Sequence, residues 1–257
     1  MLKLTDITKS FNIGTPDEAA LFKSFNFSAE SGEFISIIGS NGSGKTTLLN
    51  LICGTIEPEG GSISFRGENI TLMREHERAR YIGRVFQDPQ VGTCSSLTIL
   101  ENMALADSKN TAFGLGRAIN KKRIPYYQSL LERCGMGLEN RINTPVGSLS
   151  GGQRQALALI IANITDIELL ILDEHTAALD PKSSGTIMQL TDKLIKARGI
   201  TTIMVTHNLR YAVEYGDRLV MMHEGRAVVD IRGAEKANTR VEDLLVTFNG
   251  ISIESGN

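Results

Sequence analysis

The chain has 257 residues, 27 Lys and Arg against 29 Asp and Glu for a formal net charge of −2, and no tryptophan. That length suits one large α/β unit with a sizeable core. The balanced charge and sparse aromatics (5%) argue against the basic face and base-stacking platform of an ordinary nucleic-acid binder.

Three cysteines, Cys53, Cys94 and Cys134, are odd in number and form no CxxC pair. This argues against a disulfide framework or a zinc site and predicts buried or half-buried thiols in a reducing compartment. The opening MLKLTDITKSF has neither a basic n-region nor an apolar h-region, so no secretory signal is expected. No apolar run approaches the length needed to span a bilayer. The chain is expected to be soluble, held at a membrane, if at all, by another protein.

Residues 1–13 predict a strand with partial alternation. FISIIGSNGSGKTTLLNLICG predicts a buried strand at Phe34–Ile38, a Gly-rich turn, and a helix from Lys45 to about Cys53. GSISFRGENI predicts a further strand. From about Pro89 to Ile164 the pattern is mostly helical, with breaks expected at Gly114, Gly116, Pro125, Gly135 and Pro145. ELLILDE and GITTIMVTH are short continuous apolar runs, as expected of strands covered on both faces, with the helical TIMQLTDKLIKA between them. That order predicts a parallel sheet. A strand pair around RLVMMHEGRAVVDI precedes a polar, helix-compatible tail without a readable motif. The expected organisation is a single domain: a core from 1–88 and 161–232, a helical insert at 89–160, and a tail at 233–257.

GSNGSGKT, Gly39–Thr46, matches the phosphate-loop pattern G-x-x-x-x-G-K-[ST]. Gly39, Ser40, Asn41, Gly42, Ser43 and Gly44 let backbone N–H groups face phosphates; Lys45 reaches the β and γ oxygens, the Thr46 hydroxyl can ligate Mg²⁺, and Thr47 continues the nucleotide-binding set. LLILDE puts two carboxylates at the C-terminal end of a buried strand, where ligands sit in open α/β sheets. Asp173 is placed to hold Mg²⁺ through water, and Glu174 to orient or deprotonate an attacking water. In GSLSGGQRQALALIIA, Ser150, Gly151, Gly152 and Gln153 begin a second helix whose start is suited to an anion.

Together these segments resemble the nucleotide-binding subunit of the ATP-binding cassette (ABC) transporters, over residues 2 to about 230. LSGGQ is that family's signature. The resemblance implies a RecA-like P-loop NTPase core with an N-terminal antiparallel β-subdomain and an inserted α-helical subdomain. It implies Gln87 in RVFQDPQ as the glutamine loop, contacting Mg²⁺ or the attacking water. AALD, Ala177–Asp180, corresponds to the D-loop, with Asp180 touching a partner's phosphate loop. His207 in MVTHN corresponds to the switch histidine on the γ-phosphate, and Phe11 to the aromatic that stacks on adenine. Two copies would pack head to tail, Ser150, Gly151 and Gly152 of one closing on the ATP of the other. ATP and Mg²⁺ are the implied ligands. The implied partners are a second cassette, a separate transmembrane permease and an extracytoplasmic solute-binding protein, with the chain at the cytoplasmic face of the membrane.

The family usually carries Pro after the catalytic Glu; here His175 stands in DEHTAALDP, leaving the backbone freer by expectation. DEHTAALDP with GRVFQDPQVGT resembles an importer subgroup, with amino acids as candidate solutes. NTPVGSLS also lacks the acidic residue that exporters commonly place there. His76, His175 and His223 are read as ordinary residues without a ligand role. RAINKKRIP, Arg117–Pro125, is a basic cluster read either as a headgroup or permease contact or as a solvated helix surface. SLTILENMALA predicts a helix with an apolar stripe at Leu97, Leu100, Met103 and Ala104, in the region that receives a permease coupling helix in the family. The alternative is a soluble ABC ATPase without a transport role, such as one serving iron–sulfur assembly. A translation-factor relative is disfavoured for want of a second cassette.

Overall fold

The computed structural model describes residues 1–110 and 119–254. β1 (Leu2–Phe11) buries Leu2, Leu4 and Ile7. Its alternation slips at Asp6, whose φ of 50° marks a bulge between Leu4 and Ile7. β2 (Ala19–Ala29) pairs antiparallel with β1, and β3 (Phe34–Gly39) is buried at every position. α1 (Lys45–Cys53) follows the Gly-rich turn and ends at Gly54, φ 80°. GSISFRGENI is a hairpin rather than one strand: β4 (Gly60–Phe65) turns through Arg66 and Gly67, both at positive φ, into β5 (Glu68–Asn69). Two central residues at positive φ match strand twist in a two-residue hairpin. α2 (Glu75–Arg78) then precedes β6 (Ile82–Val85).

The expected helical stretch contains α3 (Ile99–Asp107), α4 (Ile124–Glu132) and α5 (Gly151–Ala162), with turns and short 3₁₀ segments among the described residues between them. Pro125 does not break a helix. It lies in the first turn of α4, where its missing N–H costs nothing. Gly135 (φ 62°) follows α4, and Pro145 precedes a 3₁₀ turn at Val146–Ser148. Gly114 and Gly116 fall outside the described residues, as does Arg117 of the basic cluster. Of that cluster, Arg123 pairs with Asp107 and stacks on Tyr126, while Lys121 and Lys122 are at the surface. The Ser96–Ala106 helix begins at Ile99, after a Thr98 cap that takes the Glu101 N–H. Its stripe is core: Leu100, Met103 and Ala104 are buried, and Leu97 precedes the helix.

β7 (Leu169–Asp173) and α6 (Pro181–Arg198) follow. α6 starts well before TIMQ because Asp180 caps it and Pro181 takes its first position. β8 (Thr201–Val205), α7 (Leu209–Glu214), β9 (Arg218–His223) and β10 (Arg226–Arg232) come next, the last two joined by a second positive-φ pair, Glu224 and Gly225. The tail is helical, as α8 (Gly233–Asn238) and α9 (Val241–Glu254).

These elements form two compact units. One, Met1–Ala79 with the chain from Ile200 onward, holds the antiparallel order β2-β1-β4-β5 and a second set in which β3 pairs in parallel with β8 and β9, with β10 antiparallel on β9. The other, Arg80–Gly199, holds the parallel pair β6 and β7 with α3 to α6. All three cysteines are free thiols. Cys53 and Cys134 are buried as expected, but Cys94 is exposed, because it lies in the turn-rich segment before α3 rather than on a core element. Among the described residues, no helix is long and apolar enough to cross a membrane.

Candidate functional site

The first unit holds the phosphate loop. Gly39 ends β3 at φ 153°, and a Cβ there would collide with the Met222 carbonyl of β9. Gly44, at φ 101°, lies against Phe22, where a Cβ would come within 2.9 Å of the ring. It is the N-cap of α1 and supplies no side-chain cap, so the helix start is open to an anion. Lys45 is buried. Its Nζ donates to the carbonyls of Gly39 and Ser40, both at 2.8 Å, and so folds back over the loop. Asn41 and Thr46 are exposed and Thr47 half-buried, while Ser43 is buried beneath them. The far end of α1 is fixed by a residue the sequence did not announce. Arg78, 1% exposed, donates to the Leu51 and Ile52 carbonyls at 2.7 and 2.9 Å and to Met73, Ile70 and Thr71. A cation at a helix C-terminus opposes the dipole and satisfies its orphan carbonyls.

Parallel pairing sets His207 beside this loop. Ile37 stands opposite Val205, so Gly39 and His207, each two residues further along, leave the same end of the strands. His207 is exposed, and Asn208 after it caps α7. Phe11, at the end of β1, is 38% exposed and has Lys9 Nζ 5.7 Å from its ring centre.

The second unit repeats the arrangement. Val85 of β6 stands opposite Leu172 of β7, so Gln87 and Glu174 emerge side by side. Asp173 accepts from Arg84 Nη2 at 2.8 Å, and the Arg84 guanidinium lies 4.7 Å from the Phe86 ring centre. Arg84 was passed over in the sequence, although a charge inside the apolar strand YIGRVF was the available signal. Glu174 has φ 47°, a left-handed conformation that costs a non-glycine residue about 1–3 kcal/mol.

His175 is tied into the core by its side chain. The side chain is 2% exposed, and ring Nε2 lies 3.2 Å from the hydroxyl of Thr191 in α6. The Thr191 proton goes to the Ile187 carbonyl at 2.8 Å, so the ring donates and Thr191 accepts. Burial pushes the imidazole pKa down to about 4, which keeps it neutral.

Ser150 caps α5 through a reciprocal pair: its hydroxyl accepts from the Gln153 N–H, and Gln153 Oε1 accepts from the Ser150 N–H. The cap uses Ser150 Oγ as an acceptor and leaves its proton for another group. Gly151 and Gly152 supply the first helical N–H groups, which have no intrahelical partner. Small size at Gly152 also lets α5 approach α6, since a Cβ there would meet Ser183 Oγ at 3.2 Å. Asp180 caps α6 by accepting from the Lys182 and Ser183 N–H groups, and the Ser183 bond holds its carboxyl below the usual range. Signature and D-loop therefore share one face of this unit. Gln155, one turn into α5, donates to the Phe86 carbonyl beside Gln87 at 3.3 Å.

A family model described as ABC transporter matches residues 22–177. The chain belongs to the ABC transporter family. This ABC cassette is 44% identical to a tyrosine transport ATP-binding protein of Clostridioides difficile, over 96% of this chain and 98% of that protein. It is 35% identical to a phosphonates import ATP-binding protein of a Ruegeria species, over 91% and 90% of the two chains. An ATP-binding cassette solved as a dimer in a post-hydrolysis state with ADP and Pi superposes with a TM-score of 0.77 at 30% identity, covering 90% of this chain and 98% of that one. The ADP conformation of another ABC transporter cassette gives 0.81 at 26% identity, covering 100% and 99%. The cassette has the α/β P-loop NTPase fold and is an ATP-binding transport ATPase.

Proposed function

We propose that this cassette hydrolyses ATP as one of a head-to-tail pair at the cytoplasmic face of a membrane, driving solute uptake through a separate permease. The observation that carries the pairing is that one chain holds two helix starts suited to phosphate, α1 behind Gly44 and α5 behind Ser150. A nucleotide in the loop occupies the first. The second serves the nucleotide of a second copy, which the dimeric neighbour holding ADP and Pi supports. An extracytoplasmic binding protein would deliver the solute. Residues 89–160 act as the helical subdomain, between the cores at 1–88 and 161–232. The relation to a tyrosine transport protein supports amino-acid uptake, with tyrosine the first solute to test.

In this reading Phe11 stacks on adenine and the N–H groups of Gly39 to Thr47 cradle the phosphates. Lys45 exchanges its loop carbonyls for the β and γ oxygens. Thr46, Gln87 and Asp173 would hold Mg²⁺, and a hydroxyl, an amide oxygen and a carboxylate are the hard oxygen donors that suit it. Bound there, the ion would neutralise charge on the phosphate oxygens. Glu174 orients the water that attacks the γ-phosphorus and takes its proton; His207 hydrogen-bonds the γ-phosphate, and ADP and phosphate leave. Ser150, Gly151, Gly152 and Gln153 contact that phosphate from the second copy, and Asp180 contacts the opposing loop. Cleavage removes these contacts and lets the pair part.

The test is Glu174→Gln in the full chain. With Mg²⁺-ATP it should elute as a stable dimer and turn over at least 100-fold more slowly than wild type. Wild-type turnover would remove Glu174 from the chemistry, and a monomer at saturating ATP would refute the pairing. Affinity capture from the native membrane should bring down a polytopic protein. Soluble partners alone would replace the transport reading with a soluble ABC ATPase.

A further inference from the structure

Glu174 occupies a left-handed conformation that its own side chain does not favour, and something must hold it there. The segment after it is tied to α6 along its length. Ala177 N–H donates to the Glu174 carbonyl at 2.9 Å, closing the turn. The Ser184 hydroxyl lies 3.1 and 3.3 Å from the carbonyls of Thr176 and Leu179. Asp180 caps the helix itself. The tie nearest the carboxylate is the His175 ring on Thr191, and both residues are buried, at 2% and 0% exposed. Thr191 lies mid-helix, where its own hydroxyl is locked onto the Ile187 carbonyl, so its oxygen presents a fixed acceptor.

We propose that His175 is a positioning residue for ATP hydrolysis: its ring, hydrogen-bonded to Thr191, anchors the Glu174 turn to α6 and sets the direction of the Glu174 carboxylate. A proline at this position would restrain the backbone through its ring. Here a side-chain bond to a helix provides the restraint. The same anchor joins the Glu174 turn to the helix that Asp180 caps, so the catalytic turn and the D-loop are fixed to one helix. This rests on Glu174 being the group that activates water.

The test measures kcat, KM and ATP affinity for the full chain. Thr191→Val keeps shape and burial but removes the acceptor. It should lower kcat about tenfold with ATP affinity within twofold of wild type, because a displaced catalytic group loses rate while binding is spared. Thr191→Ser should return kcat to within threefold of wild type. In a Glu174→Gln background, Thr191→Val should leave the residual rate unchanged within twofold, since the anchor acts through that carboxylate. A kcat within twofold of wild type for Thr191→Val, or an equal fold-loss in the Glu174→Gln background, would overturn the proposal. Should Thr191→Val fail to fold, His175→Gln against His175→Leu decides. The amide can still donate to Thr191, so Gln should exceed Leu in kcat by at least fivefold, and equal rates would overturn the anchor. Glu174→Gln alone at the wild-type rate would instead sink the catalytic reading, whatever Thr191 does.

Discussion

Arg84 and Asp173 form an ion pair, Nη2 to Oδ2 at 2.8 Å, with their side chains only 13% and 14% exposed. The guanidinium therefore directs the carboxylate proposed to hold Mg²⁺, and it is itself steadied over the Phe86 ring. Removing one partner of a mostly buried pair strands the other. Arg84→Met should lower the melting temperature and raise the Mg²⁺ concentration for half-maximal ATPase several-fold. ATP affinity measured in EDTA should not change. A Mg²⁺ profile identical to wild type would reduce Arg84 to a structural role.

Lys45 is folded back on its own loop, bonded to Gly39 and Ser40. In the proposed role, nucleotide binding replaces these ammonium–carbonyl bonds with bonds between opposite charges, ammonium to phosphate. Lys45→Ala should weaken ATP binding by tenfold or more in titration calorimetry. Unchanged affinity would dissociate Lys45 from the phosphates.

Ser150 has two separable tasks. As the cap of α5 it is worth about 0.5–2 kcal/mol of stability. Its proposed second task is to donate to the second copy's nucleotide and so support dimerisation. Ser150→Ala should lower stability by about 1 kcal/mol, leave ATP binding by the monomer intact, and weaken ATP-driven dimerisation in sedimentation experiments. Ser150→Asp retains the cap but repels phosphate, so it should keep stability and still fail to dimerise. A monomeric binding defect as large as the dimerisation defect would mean the signature acts within one chain.

Arg218 donates to both Asp230 carboxylate oxygens at 2.6 Å through Nε and Nη2, and this pairing keeps the Asp230 carboxyl below its ordinary value of 3.8. A depressed folded pKa means the unfolded chain binds the proton more readily. The contribution is thus complete above the ordinary value and is lost as pH falls through the lower folded one. Asp230 is 39% exposed, so solvent screening limits the effect to about 1 kcal/mol. Asp230→Asn should lose about that much stability at neutral pH and show a shallower loss below pH 4 in acid-denaturation curves. An acid limb as steep as wild type would assign the pH dependence elsewhere.

What lay within a few residues was legible without coordinates. The strand, glycine turn and helix of the phosphate loop appear where the apolar run, the glycines and Lys45 put them. The anion-directed start at Ser150 could be read from its neighbours, because a capping box closes within four residues. The apolar runs ending at Asp173 and Val205 are strands, since short continuous burial leaves little choice. Misreadings fell where local signals compete: Arg66-Gly67 split one expected strand into a hairpin, and Pro125 began a helix it was expected to break.

Tertiary structure decided which distant residues meet. Parallel register, not spacing, sets Gln87 beside Glu174 and His207 beside the phosphate loop. Arg84 reaches Asp173 across 89 residues, Arg78 reaches the end of α1 across 27, and His175 reaches Thr191 across 16. The physical reason is that a helix turn or cap is closed by hydrogen bonds among near neighbours. A buried ion pair or ring contact exists only once packing has excluded water and brought two otherwise unrelated strand or helix positions together. The sequence by itself determined the family; the packing determined that the residue after Glu174 is anchored to α6 rather than left to solvent.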